Sequence, residues 1–505
     1  MDAINAIVTG AITTSDHRIY FFENGAARSI SLYELDCQAT TVRDHLLELG
    51  LTAGDRIGIL AKNSLEWTLL DLAILKMGGI VAGLEIGRFE AETSLLRYGF
   101  KCIFTADYTG DNPNVIDIGM VRKWAAIDSI RPPKPSPHSG YRADDICAIK
   151  FTSGSTAEPK GMEATVGSIN DTLNSVQELF KHGGTDNILV FFPQSFIQQR
   201  YWIYSALVFG HDVTLTSMEE VLPAAQHIQP TVIMGVPGFY DDVKTLIESG
   251  TDYAAADLGA RRLAIHATLG KRIRYLWTGS APASRTMLDF YNDAGVAIYE
   301  GYGSTEACIV AKNGPNACRV GSVGKVLPNK TVRFDQDGVL IVGSRHPVNT
   351  RYAWCGKGDN EKMFLPSGEV FTHDLAYLDA DGYLYIQGRA DDIVVLLNGR
   401  NVLVRPIEEY LKQHPAVHQC VVFGAGKPAL TAVISPVNGD LDRGELEAYM
   451  EARNATALAE QRVHALVIAD AQFSIENGML TSQYKPLRRV IFKAHAEAIE
   501  ATYSA

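Results

Sequence analysis

The residues best suited to chemistry lie in Phe151-Thr-Ser-Gly-Ser-Thr-Ala-Glu-Pro-Lys-Gly161, a cluster of hydroxyls and glycines ending in Pro-Lys-Gly. Small residues let backbone N–H groups curl around phosphate oxygens, hydroxyls add donors, and a lysine adds positive charge. The stretch lacks the Gly-x4-Gly-Lys-Ser/Thr spacing of the Walker loop. By composition alone it reads more often as a polar surface turn. The same holds for the other candidates taken singly. Gly301-Tyr302-Gly303 is a common kind of turn, Asp374 suits a turn or helix cap, and Lys485 suits the start of a basic surface helix.

These residues need elements to hold them. Ile146 to Phe151 reads as an apolar strand feeding directly into the hydroxyl cluster. Upstream, Ser31 to Leu49 has helical spacing, Asp55 to Leu60 is a short strand, and Leu65 to Met77 is helical. The Gly78-Gly79 break then leads into apolar Ile80-Val81-Ala82. Such alternation predicts a parallel sheet flanked by helices. Arg131 to His138, with four prolines in eight residues, marks a loop. Beyond about residue 330, Asp337-Gly338 and Asp381-Gly382 sit between strand-like runs and signal hairpins. The last part of the chain, with strands over Val417 to Phe423 and Leu430 to Val437 and a helix over Arg443 to Ala452, is long enough for a separate small domain.

Composition narrows the class. The chain has 505 residues, of which 46% are hydrophobic and 21% charged, as in ordinary multidomain globular proteins. A formal charge of −12 argues against nucleic acid as a standing partner. The seven cysteines are scattered, odd in number and without a Cys-x-x-Cys pair, which fits reduced thiols in a cytoplasmic protein rather than disulfides or a zinc site. The N-terminus lacks the basic region of a signal peptide. The most apolar run, Leu69 to Leu84, is interrupted by Asp71 and Lys76 and fits a buried helix and strand better than a membrane span.

The hydroxyl-rich loop resembles the pattern Thr-Ser-Gly-Ser/Thr-Thr-Gly-x-Pro-Lys-Gly of the adenylate-forming superfamily: acyl-CoA synthetases, luciferases and peptide-synthetase adenylation domains. Ala157 stands where that pattern has glycine. Leu276-Trp-Thr-Gly-Ser-Ala-Pro282 resembles the segment lying against adenine, and Tyr299-Glu-Gly-Tyr-Gly-Ser-Thr-Glu306 resembles Gly-Tyr-Gly-x-Thr-Glu. Phe371-Thr-His-Asp-Leu375 resembles a Thr-Gly-Asp segment, with His373 in place of glycine and no catalytic role assigned to it. Tyr385-Ile-Gln-Gly-Arg-Ala-Asp-Asp-Ile393 resembles the ribose and hinge segment, and Glu476 to Arg489 resembles the C-terminal lysine motif as fatty acyl-CoA synthetases write it. Together the likeness runs from about residue 20 to 490, in the family's order.

The resemblance implies an α/β protein. A large N-terminal domain, residues 1–388, combines parallel sheets, helices and a β-rich part, and a smaller mobile α+β domain, residues 389–505, carries the catalytic lysine. It implies ATP contacts from Thr152, Ser153, Gly154, Ser155, Thr156, Lys160, Gly279, Ser280 and Ala281, with Tyr302 stacked on adenine. Thr305 would lie near the α-phosphate, Glu306 would hold Mg²⁺, and Asp374 and Arg389 would meet the ribose. Lys485 would act in adenylation, Asp391 as the hinge, and Gly399 and Arg400 on the side of the thiol acceptor. Phe196, Trp202, Val236, Pro237 and Gly301 are expected around the acyl group.

The implied activity is ATP-dependent conversion of a carboxylic acid to its acyl-AMP with release of pyrophosphate, then transfer to a thiol. Amino-acid adenylation domains usually carry an aspartate in Phe-Asp-x-Ser, and Phe192-Pro-Gln-Ser195 has none, which points to an acid without a free α-amino group. Coenzyme A is the default acceptor. The phosphopantetheine of a separate acyl carrier protein is the alternative, because no carrier-like domain is visible after Lys485. A nucleotide-binding regulator that has lost catalysis is the reading from another class, fed by Ala157 and His373 and opposed by the retained Lys160, Glu306, Asp374, Arg389 and Lys485.

Overall fold

In a computed structural model the described residues are 1–10, 16–23, 25–126, 138–152, 159–250, 256–437, 441–481 and 483–503, with only the backbone described at Asp391. Among them the expected parallel sheet becomes two. One runs, edge to edge, through Val115–Asp117, Cys102–Thr105, Arg56–Leu60, Ile80–Gly83, Ile146–Phe151 and Gly161–Thr165. All its pairings are parallel except the last, where Phe151 faces Gly161 across an antiparallel ladder. The second sheet has a parallel centre of Ile298–Ser304, Tyr275–Thr278, Val232–Met234, Asn187–Val190, Asp212–Leu215 and Arg18–Glu23, with antiparallel strands at both edges.

The helices follow their local signals. Leu32–Glu48 begins at a full capping box, in which Ser31 and Glu34 satisfy each other's free backbone N–H groups. Leu65–Met77 is capped by Ser64 and ends at Gly78 in the left-handed region, at φ 84°. From Trp67 onwards every residue of this helix is buried, so its apolar run covers all faces and packs into the core on every side. Two buried ion pairs fix neighbouring helices against it, Lys76–Asp36 at 2.7 Å and Arg200–Asp71 at 3.0 Å. Removing one partner of such a pair typically costs about 3–5 kcal/mol, because the other charge is left buried.

Both Asp-Gly hairpins form. Lys330–Phe334, Val339–Ser344, Val370–Leu378 and Leu384–Arg389 make a four-stranded antiparallel sheet, with Gly338 and Gly382 at the turns. After Arg389 comes a short 3₁₀ turn, Ala390–Asp392, and then a region with its own apolar clusters. That region holds a two-stranded ladder, Ile393–Val395 with Asn401–Leu403, and a three-stranded sheet of Val417–Phe423, Leu430–Pro436 and Val463–Ile468. Arg443–Thr456 continues four residues past the expected helix end, where Asn454 ties its last turn to Val463 through donors and acceptors of 2.8 and 3.0 Å. The Pro-rich stretch expected to be a loop lies, up to residue 137, outside the described residues. No helix among the described residues is long and apolar enough to cross a membrane.

Candidate active site

The hydroxyl-rich segment separates two strands that pair antiparallel, Ile146–Phe151 and Gly161–Thr165, so a strand and not a helix follows it. Ser153, Gly154, Ser155, Thr156 and Ala157 lie outside the described residues. The neck of the loop is described and is cross-tied. Thr152 N donates to the Lys160 carbonyl at 2.9 Å, and Lys160 N donates to Thr152 Oγ1 at 3.3 Å. Lys160 Nζ pairs with Asp359 at 3.0 Å and sits 5.4 Å from the centre of the Tyr352 ring.

Tyr352 links this lysine to the next strand. Its hydroxyl donates to Glu306 Oε1 at 2.6 Å, which leaves the second oxygen of that buried carboxylate for another ligand. Glu306 and Thr305 occupy the turn between Ile298–Ser304 and Cys308–Lys312, where Ser304 Oγ accepts from the backbone N–H groups of Glu306 and Ala307 at 3.2 and 3.1 Å. Lys150 holds the Thr305 carbonyl from below at 3.4 Å. Among the described residues no cluster of three or more His, Cys, Asp or Glu could hold a metal alone. A single carboxylate suits Mg²⁺ bound largely through phosphate oxygens, so the donor set fits that ion as a nucleotide partner.

Tyr302, on the same strand as the Glu306 turn, donates its hydroxyl to Asp374. Burial pushes the Tyr302 phenol well above its usual range, and the Asp374 charge adds to the rise. Arg389 Nη1 lies 3.3 Å from Asp374 Oδ1. Burial raises the Asp374 pKa, and the Tyr302 hydrogen bond and the Arg389 charge oppose that rise. His373, at the position where the resembled pattern has glycine, keeps the backbone conformation that glycine favours, with φ 60°. Its Nε2 donates to the Lys362 carbonyl at 3.1 Å, and its ring meets Phe371 edge-on.

The C-terminal lysine reaches this cluster from a tight turn. Thr481 N donates to the Lys485 carbonyl at 2.9 Å, and Lys485 N donates back to Thr481 Oγ1 at 3.1 Å. Between them Tyr484 adopts φ 59° and packs among apolar residues of the large domain. Gly238 makes this approach possible: a Cβ there would stand 2.6 Å from the Tyr484 Cβ. Arg488 fastens the far side of the turn through Glu408 and the Val422 carbonyl. Burial lowers the Lys485 ammonium from the ordinary lysine value, while Asp374 and Glu306 oppose the drop. Lys485, Asp374, Arg389 and Glu306 are therefore electrostatic neighbours in one cleft.

An apolar chamber continues from the same cleft. Gly279, Ser280, Gly301 and Tyr302 line it together with Phe196, Trp202 and Val236, and Gln483 from the lysine turn joins them. Gly279 must be small, since a Cβ there would meet the Gly301 carbonyl oxygen at 2.9 Å. The Phe192–Ser195 segment is set by Asn63, whose side chain donates to the Phe192 carbonyl at 2.9 Å and accepts from Gln194 N at 2.7 Å.

Some expected residues fall elsewhere. Pro237 begins the helix Pro237–Gly250 and is buried without lining the chamber, because its ring is used as a helix start. Ala281 lies beside Ser280 but is not part of the lining. Gly399, at φ 79°, and Arg400 occupy the exposed turn between Ile393–Val395 and Asn401–Leu403, away from the lining residues. The Asp391 side chain lies outside the described residues. Sequence reasoning missed Tyr352, Asp359 and Gln199, tied to the cleft by long-range packing, and gave no role to Tyr484 although it lies inside the lysine motif.

Comparison with known proteins adds independent findings. The family model described as AMP-binding enzyme matches residues 10–342, and that of the AMP-binding enzyme C-terminal domain matches residues 391–505. A long-chain-fatty-acid–CoA ligase of Mycobacterium tuberculosis is 27% identical, over 91% of this chain and 90% of that protein. An anthranilate–CoA ligase solved with anthranoyl-AMP superposes with TM-score 0.80 at 19% identity, covering 98% of this chain and 97% of the other. An o-succinylbenzoate–CoA synthetase of Bacillus subtilis, solved with its acyl-adenylate intermediate, gives TM-score 0.76 at 19% identity, covering 97% of both chains.

Proposed function

The chain belongs to the AMP-binding enzyme family, and from that membership we infer that it is an acid–thiol ligase, forming an acyl-AMP from ATP and a small carboxylic acid and then a thioester of coenzyme A. The observation carrying this reading is that the charges of Asp374, Arg389 and Glu306 all act on Lys485, two residues from Gln483 of the chamber lining.

A carboxylate repels nucleophiles and has no good leaving group. Attack of its oxygen on the α-phosphorus of ATP breaks the α–β bond, expels pyrophosphate, and leaves a mixed anhydride from which AMP departs easily. Catalysis then consists of bringing two anions together and stabilising charge that grows on the α-phosphate. In this reading Lys485 supplies positive charge at that phosphate, and Thr305 lies on the same side. Lys160 and the hydroxyls of the loop hold the distal phosphates, while Asp374 and Arg389 hold the ribose. Mg²⁺ at Glu306 would neutralise phosphate charge. Phe196, Trp202, Val236 and Gly301 enclose the acyl group. In the second step the thiol attacks the acyl carbon and AMP leaves. Rotation about Asp391 would withdraw Lys485 and bring Gly399 and Arg400 towards the acceptor. A cytoplasmic setting suits the seven free cysteines, five of them buried.

Acid-dependent pyrophosphate release, measured with and without coenzyme A, tests the reading. Release with one acid class and its stimulation by coenzyme A is the expected result. Stimulation by a phosphopantetheinylated carrier instead would move the acceptor to an acyl carrier protein. Absence of release with any acid, while ATP still binds, would overturn the catalytic reading. For the hinge, Asp391→Pro should impair thioester formation and largely spare adenylation; equal loss of both steps would refute that role.

A further inference from the structure

Among the described residues that line the acyl chamber, all but one come from the chain between Thr172 and Ile309. The exception is Gln483, a half-buried residue of the turn that carries Lys485. That turn belongs to the region beyond Arg389, so both parts of the chain contribute to the chamber wall.

Two features fix Gln483 in this wall. The first is the bonding of the turn itself. Gln483 N donates to Thr481 Oγ1 at 3.3 Å, Tyr484 N donates to the Thr481 carbonyl at 2.8 Å, and Leu480 bridges to Pro486. Together with the two bonds between Thr481 and Lys485, these tie Gln483, Tyr484 and Lys485 into one unit. The second is Tyr484, which packs against two apolar clusters at once. One contains Phe192 and Val236 of the chamber wall, and the other contains Phe473 and Leu480 of the C-terminal region. Gly238, against which Tyr484 lies, follows Val236 of the lining by two residues. Where the tyrosine seats the lysine, it therefore also seats the glutamine, and a motion that withdraws one withdraws the other.

Resting on the adenylation reading, we propose that Gln483 is a specificity-determining residue that limits the size of the acid, and that it acts only in the adenylation step. Its side chain completes the wall while Lys485 is seated. An acid too bulky for the completed chamber either fails to bind or holds the turn off, and a small displacement of Lys485 from the α-phosphate is enough to slow the reaction. Once acyl-AMP has formed and the turn withdraws, this part of the wall leaves with it. The acyl group is selected before activation and is not selected again during transfer to the thiol.

The test uses the full-length protein with straight-chain alkanoates and benzoates graded in size. Pyrophosphate release reads the first step, and thioester formation from preformed acyl-AMPs reads the second. Gln483→Ala should raise kcat/KM for the bulkiest acids, relative to the best wild-type acid, by ~10-fold or more, the scale of a methylene in an apolar pocket. Gln483→Trp should shift the preference the opposite way, towards smaller acids. In the transfer step both variants should rank the acyl groups as the wild type does. A loss equal for every acid would mean that the turn merely misplaces Lys485 and would overturn the proposal. An unaltered ranking in both variants, or one altered alike in both steps, would overturn it too, and each of these results leaves wild-type adenylation standing. Silence of the wild type with every acid overturns the adenylation reading and the proposal with it. Ratios within one variant do not depend on the fraction folded, and either variant alone carries the test.

Discussion

At the nucleotide end of the cleft nearly every polar side chain is held by another. Tyr302 and Arg389 both engage Asp374, Tyr352 engages Glu306, and Lys160 pairs with Asp359. At the acyl end, Trp202 and Gln199 keep polar atoms without protein partners inside an aromatic wall. The first arrangement is pre-organised for a ligand that never changes. The second is a largely apolar wall around an empty space. Chemistry common to a family belongs at the closed end, and the choice of acid belongs at the open one.

Substitutions at the two ends should therefore fail differently. The largest loss is expected at Lys485. Lys485→Ala should slow acyl-AMP formation by on the order of 10²–10³, as loss of one oxyanion donor does, and by the same factor for every acid. Pyrophosphate release within about threefold of wild type, or a loss that varies with the acid, would break the division. Next, Asp374→Ala removes charge-assisted hydrogen bonds worth about 1.5–3 kcal/mol each. It should raise the KM for ATP by ~10-fold or more and leave the ranking of acids unchanged, which initial-rate kinetics across the panel would check.

Tyr484→Ala is a smaller change at the joint between the two ends. Loss of its aromatic packing, worth about 0.5–1.5 kcal/mol, should reduce adenylation about three- to tenfold while transfer from preformed acyl-AMP to the thiol is spared. Parallel loss in both steps would show that the tyrosine does not serve the seating of Lys485. The gentlest probe is pH. In its proposed role Lys485 acts protonated, and burial lowers its pKa. Adenylation should therefore fall as pH rises through a value below the ordinary lysine range, and Lys485→Arg should remove that alkaline limb from whatever activity remains. A profile flat to beyond that range would assign the charge to another group.

Much of the scaffold was legible because its signals are local. Ser31 with Glu34, Ser64 and Gly78 mark helix ends within a turn of the bonds they make, and Asp337-Gly338 and Asp381-Gly382 mark hairpins by their own backbone preference. The strand Gly161–Thr165 escaped notice, because its identity comes from pairing with Ile146–Phe151 rather than from its own residues. The site divides in the same way. Lys160, Glu306, Asp374, Arg389 and Lys485 sit in recognisable segments. Tyr352 reaches Glu306 across 46 positions of chain, and only packing brings Tyr484 to Gly238. Gln199 was passed over in an apolar-looking helix, because an unpaired amide is a property of its surroundings and not of the sequence.

The hydrogen bond from His373 to the Lys362 carbonyl has a mechanical meaning. Lys362 belongs to the short helix Asp359–Met363, whose first residue grips Lys160 at the neck of the phosphate loop. His373 itself immediately precedes Asp374, which is bound by Tyr302 and Arg389. A glycine at this position has no side chain with which to make that bond. With histidine, the part of the frame proposed to grip the sugar and the part proposed to grip the phosphates are braced against each other, so that a tug on either is felt at the other.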